Sequence, residues 1–310
     1  MKKILTLVLA LCLAVAVFAG CSSTSEEPSE SPSTSENTDQ TSQEPSDSPS
    51  ESGTELSGVV KTGGSTSVEK VMNALIYQFQ EDNPGVTINY EMNGSGDGIT
   101  NTQSGMYEIG HSSRDLKEDE TGLVATPYAI DGIAVVVNKE NTVSDLSKEQ
   151  LFGIYTGTIT NWSEVGGADA PITVVTREAS SGTRGAFSEI IGLDVEGDDG
   201  SIDPATQIVS SATECKDTGS VQTTVSQNPN AIGYMSFSDM DTEMVTPVKY
   251  EGVEISTETL KDDSYALKRN FLLITKEGAT LSDAAQAFMD FVLSDEGQEV
   301  VASASLLPIN

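Results

Sequence analysis

The chain has 310 residues, 37% of them hydrophobic and 5% aromatic, and 48 acidic against 16 basic side chains give it a formal charge of −32. That balance argues against a nucleic-acid partner, which needs a basic face to neutralise phosphodiesters. The length fits one large or two medium domains, because single cores stop growing at roughly 250–300 residues.

Lys2 and Lys3 precede an apolar run from Ile4 to Ala19, and Gly20 precedes Cys21. A charged start, an apolar centre shorter than the ~20 residues of a spanning helix and a small-residue end predict a signal peptide over residues 1–20. The Ala-Gly-Cys ending resembles the lipobox of bacterial lipoproteins, with Cys21 as the lipidated residue, although Phe18 stands where Leu is usual. Ordinary secretion with a free Cys21 thiol is the alternative. Cys12 would leave with the signal, so Cys215 stands alone and no intramolecular disulfide is expected. With no motif around it, Cys215 reads as a structural or incidental thiol rather than a nucleophile.

Residues 22–58 are Ser, Thr, Glu and Pro with little else, and Leu56 is the one apolar side chain. Such a stretch cannot bury enough surface to offset its ordering entropy, so residues 21–58 read as a lipidated cysteine and a disordered tether. As a flexible coil its root-mean-square reach is roughly 30–36 Å.

From Val59 onward strand and helix patterns alternate. Val59 to Thr62 reads as a strand ending at Gly63-Gly64, and Val68, Val71, Met72, Leu75 and Phe79 then recur at helical spacing. Val86 to Tyr90 reads as a strand, and Ile130 to Val137 as a strand covered on both faces. Leu146 to Tyr155, Phe187 to Ile191 and Leu281 to Leu293 read as helices, and Ile172 to Val175 and Phe271 to Ile274 as short buried strands. The alternation predicts an α/β architecture with mostly parallel sheets in two lobes.

Three strand-to-helix junctions are rich in Gly, Ser and Thr: Gly63 to Ser67, Gly94 to Gly98, and Arg177 to Thr183. Each would bring unpaired backbone N–H groups and hydroxyls to a helix start, where the orphan donors and the macrodipole favour an anion. Each also has a plainer reading. Thr66-Ser67-Val68-Glu69 fits a capping box, Gly94 to Gly98 could be a turn, and Ser181-Gly182-Thr183 could be one more cap. Arg177 favours the anion, because its guanidinium fork sits four residues before a Ser-Gly-Thr helix start.

These residues resemble the phosphate-binding proteins of bacterial phosphate ABC importers, the PstS type. The similarity runs over nearly all of residues 59–310 and includes Asp131 to Asn138, Leu151 to Gly157 with Asn161-Trp162, Ala231 to Tyr234, and Ser294 to Gln298. The resemblance implies a two-lobed type II periplasmic-binding-protein fold with two crossing hinge strands, lobe I being residues 59–132 and 246–310 and lobe II residues 133–245. It implies phosphate ligands at Thr66, Ser67, Ser95, Arg177, Ser181, Gly182 and Thr183, and at Ser113 by position. Well-known members have an Asp at the place of Ser113 to accept the phosphate proton, and an Asp two residues after the arginine, where this chain has Ala179. The expected acceptor therefore passes to Glu69, Asp97, Asp115 or Asp131, with Glu69 first. Arg114 is either a second anion contact or a surface partner of Asp115. One histidine, His111, supports no catalytic triad, and no Cys/His spacing supports a metal.

The expectation is a monomeric receptor without cofactor, lipid-anchored on the outer face of the bacterial membrane, that captures phosphate for an ABC permease and discriminates against sulfate. The rivals are a receptor for sulfate, molybdate or another tetrahedral oxyanion, a sensor or adhesin without a transporter, and a secreted hydrolase using Ser181. A missing base and a missing Gly-x-Ser-x-Gly elbow weigh against the last.

Overall fold

The computed structural model describes residues 55–197 and 200–310. The expected signal peptide, Cys21 and nearly all of the expected tether lie outside the described residues.

The chain begins with strand β1 (Gly58–Gly64), a single 3-10 turn (Thr66–Val68) and helix α1 (Glu69–Asp82). Val71, Met72, Leu75, Ile76 and Phe79 are the buried stripe of α1, as their helical spacing requires. Strand β2 (Val86–Met92), helix α2 (Ser95–Ser104) and strand β3 (Ile109–Ser112) follow. Strand β4 (Leu123–Asn138) is 16 residues long and starts well before the apolar run that marks it in the sequence. Beyond it come β5 (Asp145–Leu146), α3 (Lys148–Thr156), β6 (Thr173–Arg177), α4 (Gly182–Ile191), β7 (Thr213–Cys215), α5 (Thr218–Gln227), β8 (Ala231–Ser236) and β9 (Val245–Tyr250). The short helix α6 (Thr257–Lys261), strand β10 (Lys268–Lys276), α7 (Asp283–Leu293) and α8 (Asp295–Ser303) close the chain.

Two large hydrophobic cores account for the two lobes. One gathers Val60, Val71, Leu75, Phe79, Ile109, Phe271, Phe288 and Val301. The other gathers Val135, Val137, Leu151, Tyr155, Phe187, Val221, Ile232 and Tyr234. Strand β4 serves both: up to Gly132 it pairs with β10, and from Ile133 it pairs with β8 and then β9. The return crossing runs beside it, with Ile133 N donating to Leu267 O at 2.7 Å just before β10 begins.

Two expectations need correction. The sheets are mixed rather than mostly parallel: β10 is antiparallel to β3 and β4, and β4 is antiparallel to β8 and β9. The crossing strands run in opposite directions between lobes, so each enters the neighbouring sheet against its grain. The second lobe also extends past residue 245, because β9 pairs with β4 and Ile255, Leu260, Tyr265 and Leu267 join its core. A strand-to-helix pattern carries no label for the core it faces, so the sequence could not fix that end.

Asp131 lies at the crossing, fully buried. Arg269 of β10 donates to its Oδ2 from Nη2 at 2.9 Å and from Nε at 3.3 Å, and Ser238 N donates to its Oδ1 at 3.4 Å. The ion pair thus ties together the two crossing strands and the loop after β8.

Candidate functional site

The three Gly/Ser/Thr junctions converge between the lobes. At the first, Gly64 has φ +139°, and a methyl group on it would lie 2.2 Å from His111 O, so only glycine lets β1 pass β3 this closely. Ser65, not Thr66, caps the following turn, its Oγ accepting from Ser67 N at 3.3 Å. The capping box read from Thr66 and Glu69 does not form, because the 3-10 turn intervenes and α1 starts at Glu69 without a side-chain cap. Thr66 and Ser67 are buried and face the opposite lobe.

At the second junction α2 opens on Gly94 at φ +100°, and Ser95 at its first position is fully buried. Ser113 completes a hydroxyl cluster with it. Ser65 Oγ donates to Ser113 Oγ at 2.8 Å, Ser113 N donates to Ser95 Oγ at 3.0 Å, and the Ser95 and Ser113 hydroxyls are 3.4 Å apart. At the third, Ser181 caps α4 by accepting from Arg184 N at 3.3 Å. A methyl group on Gly182 would lie 2.1 Å from Ser95 Oγ and 2.5 Å from Ser113 Oγ, so the start of α4 abuts the serines of the other lobe directly.

Cross-lobe hydrogen bonds hold this arrangement. Ser67 Oγ and Thr183 Oγ1 are 2.7 Å apart, Gly96 N donates to Ser180 O at 3.0 Å, and Arg177 Nη2 donates to Thr66 Oγ1 at 2.9 Å. Thr66 Oγ1 accepts a hydrogen bond from the arginine and so keeps its own hydroxyl free to donate.

Arg177 ends β6 and is only 1% exposed. Its Nε donates to Cys215 O at 3.2 Å and its Nη2 to Lys216 O at 3.1 Å. These two carbonyls at the end of β7 orient the fork where no carboxylate follows at position 179. Nη1 is buried and has no hydrogen-bond partner, and among the described residues Arg177 is in no ion pair. Burial pushes its pKa down from the ordinary value, with weaker opposing pulls from Tyr234, Asp217 and Glu178. A buried cation with a free donor is costly unless an anion meets it.

The proposed carboxylate acceptors are not at hand. Glu69, Asp97 and Asp115 are exposed, and both oxygens of Asp131 are taken by Arg269 and Ser238. A helical position close in sequence to a loop does not fix which way its side chain turns, and in α1 the buried face belongs to Val71, Met72 and Leu75. Arg114 neither contacts the cluster nor pairs with the Asp115 carboxylate; its guanidinium grips Glu120 through two bonds of 2.8 and 2.6 Å.

Two residues at the site were missed from the sequence. Ser65 supplies the hydroxyl that donates to Ser113. Thr218 opens α5, a fourth helix start, with Oγ1 3.3 Å from Ser67 Oγ. The Asp217-x-x-Ser220 cap, in which Asp217 Oδ1 accepts from Ser220 N at 2.7 Å, was the available signal for that start.

His111 is buried, and Thr62 gives its proton to Ile109 O, so the 2.6 Å contact makes His111 Nε2 the donor to Thr62. Burial pushes its pKa down to about 3, so it is neutral. No hydrogen bond joins it to Ser181. Among the described residues no group of three or more Cys, His, Asp or Glu could hold a metal ion, and no helix is long and apolar enough to cross a membrane.

Two lobes, two antiparallel crossings and a donor-lined junction define a binding protein of the periplasmic type, and the chain belongs to the PBP superfamily, whose domain model matches residues 32–296. Within it the chain is a member of the PstS family of phosphate-binding proteins. It is 31% identical over 258 residues to phosphate-binding protein PstS of Bacillus subtilis (strain 168), covering 82% of this chain and 81% of that one. Among solved structures it resembles a Clostridium perfringens protein described as a phosphate ABC transporter substrate-binding protein with bound phosphate. The two share 42% identity with a TM-score of 0.75, over 82% of this chain and 100% of the other. It also resembles an ABC-type phosphate transport receptor from Vibrio cholerae, at 32% identity and a TM-score of 0.67, over 80% of this chain and 99% of that one.

Proposed function

We propose that this protein is an extracytoplasmic receptor, lipid-anchored through Cys21, that captures one inorganic phosphate between its lobes and delivers it to an ABC permease without chemical change. The observation that carries the reading is the buried, unpartnered Nη1 of Arg177, whose Nη2 reaches Thr66 at the junction where the starts of α2, α4, α5 and the 3-10 turn converge. The anion would take charge-assisted bonds from Arg177 and further donors from Thr66, Ser67, Ser95, Ser113, Ser181, Gly182 and Thr183. Helix starts add N–H donors and favourable dipoles without the geometric slack of lysine side chains. Closing the lobes excludes water, and that strengthens each of these bonds.

The acidic surface does not oppose capture. Exposed charges are screened over a Debye length of ~8 Å at physiological ionic strength, whereas the buried donors act at contact. A hydrolase using Ser181 would need a base, and the serine instead caps α4. Isothermal titration with phosphate tests the reading: one site per chain is expected, and no heat or thermal shift at millimolar phosphate would refute it.

One observation favours a second reading. Among the described residues no carboxylate hydrogen-bonds to the Ser65, Ser95 and Ser113 hydroxyls, so none there repels an oxyanion that lacks a proton, and sulfate or molybdate could be the ligand. The same titration repeated with sulfate decides between them. Phosphate binding tenfold or more tighter than sulfate, about 1.4 kcal/mol, assigns phosphate.

A further inference from the structure

Arg114 takes no part in the anion site as described, yet it lies across the boundary between the lobes. It belongs to the loop after β3, in the first lobe, directly following Ser113. Ser112 pins its backbone, donating from Oγ to Arg114 O at 2.7 Å and accepting from Arg114 N at 3.2 Å. Its guanidinium is fixed by Glu120 of the same lobe, whose Oε2 also accepts from Lys117 N at 2.8 Å, and by Asp115 O at 2.8 Å. Burial alone would raise the Glu120 pKa, but the bonds from Arg114 and Lys117 N hold it below the ordinary value. The clamp is therefore charged at neutral pH.

The aliphatic stem of Arg114 passes over the first turn of α4 in the second lobe. A methyl group on Gly185 would lie 2.7 Å from Arg114 Cδ and 3.5 Å from Nε. Cδ is not the loose end of this side chain, since the atoms beyond it are held by Glu120. Gly185 thus provides the groove in which the stem rests, one turn from the Ser181-Gly182-Thr183 start. The contact exists only while the lobes are together.

We propose that Arg114, clamped by Glu120 and seated on Gly185, is a latch that holds the lobes closed over the anion. It is a positioning residue: it touches the second lobe, keeps Ser113 against Gly182, and slows release. The proposal rests on the phosphate reading and adds to it a residue pair that never contacts phosphate.

A double-mutant cycle tests it, read by phosphate affinity and by stopped-flow release. Gly185→Ala should weaken phosphate binding at least tenfold, through faster release. It should not lower the melting temperature without phosphate, because alanine is the better helix former. Arg114→Ala should lose about three- to tenfold by removing the latch. Gly185→Ala with Arg114→Ala should return to within threefold of Arg114→Ala, since the added methyl then meets open space. Wild-type affinity in Gly185→Ala, or a double variant as weak as the product of the singles, overturns the latch. Should Gly185→Ala fail to fold, Glu120→Gln frees the guanidinium at nearly constant shape. It should speed phosphate release at least threefold, and unchanged release overturns the latch. A wild-type protein that ignores phosphate overturns the phosphate reading itself.

Discussion

Replacing Arg177 by Met removes the fork while keeping most of the buried stem, and the structure sets opposite signs for its two effects. Without ligand, the substitution removes the donors that now lie 3.2 Å from Cys215 O and 3.1 Å from Lys216 O, although Cys215 O keeps Glu178 N at 3.3 Å. The orphaned Lys216 carbonyl costs about 1–3 kcal/mol. Against that, it removes a buried cation with no counter-ion, whose desolvation penalty is several kcal/mol. The two nearly cancel, so the ligand-free fold should survive with a change of at most about 2 kcal/mol. Binding has no such compensation. Truncating one partner of a buried, hydrogen-bonded charge pair costs about 2–5 kcal/mol, which corresponds to a loss of roughly thirtyfold to roughly five-thousandfold in phosphate affinity. Arg177→Lys keeps the charge but loses the fork, and should fall at the mild end of that range. Calorimetric titration of both variants, beside ligand-free melting curves, gives the two numbers separately. A folded Arg177→Met protein with wild-type phosphate affinity would falsify the site.

Phosphate at one hundred times its dissociation constant should stabilise the protein by about 2.7 kcal/mol and compact it in small-angle scattering, and constancy of both would argue against a hinged receptor. Thr218→Val, nearly isosteric, should lower phosphate affinity about three- to tenfold by removing the hydroxyl 3.3 Å from Ser67 Oγ, and an unchanged affinity would exclude α5 from the site. Asp239, in the loop after β8, has its pKa raised to about 7 by burial first and then by Asp131, with Glu69 adding and Lys70 and Arg269 opposing. The folded protein then holds this proton more tightly than the unfolded chain, so the contribution is full below about pH 4 and is lost as pH rises toward 7. Asp239→Asn should therefore melt higher than wild type at pH 8 with the difference fading by pH 4, and parallel melting curves across that range would refute the assignment.

The sequence by itself determined most local elements and the residue types at their junctions. Helix α1 was legible because Val71, Met72, Leu75 and Phe79 recur at 3.6-residue spacing, and the central part of β4 because Ile133 to Val137 is apolar on both faces. Ser95, Arg177 and Ser181-Gly182-Thr183 were legible because glycine and hydroxyl residues at a helix start have a physical meaning independent of what surrounds them. What surrounds them was decided only by tertiary structure. The 3-10 turn that moves the cap from Thr66 to Ser65 and turns Glu69 to solvent depends on β1 meeting β3 at Gly64, a contact between segments 47 residues apart. Thr218 reaches Ser67, and the carbonyls of Cys215 and Lys216 take the place of an aspartate behind Arg177, only because β7 lies beside β6. The second lobe holds residues 246–267 because β9 finds its partner in β4, and strand pairing is a long-range choice that periodicity does not encode. Arg114 looked like a ligand or a surface charge from its neighbours in sequence. Glu120 and Gly185, from two different lobes, give it a third role that becomes visible only when those lobes meet.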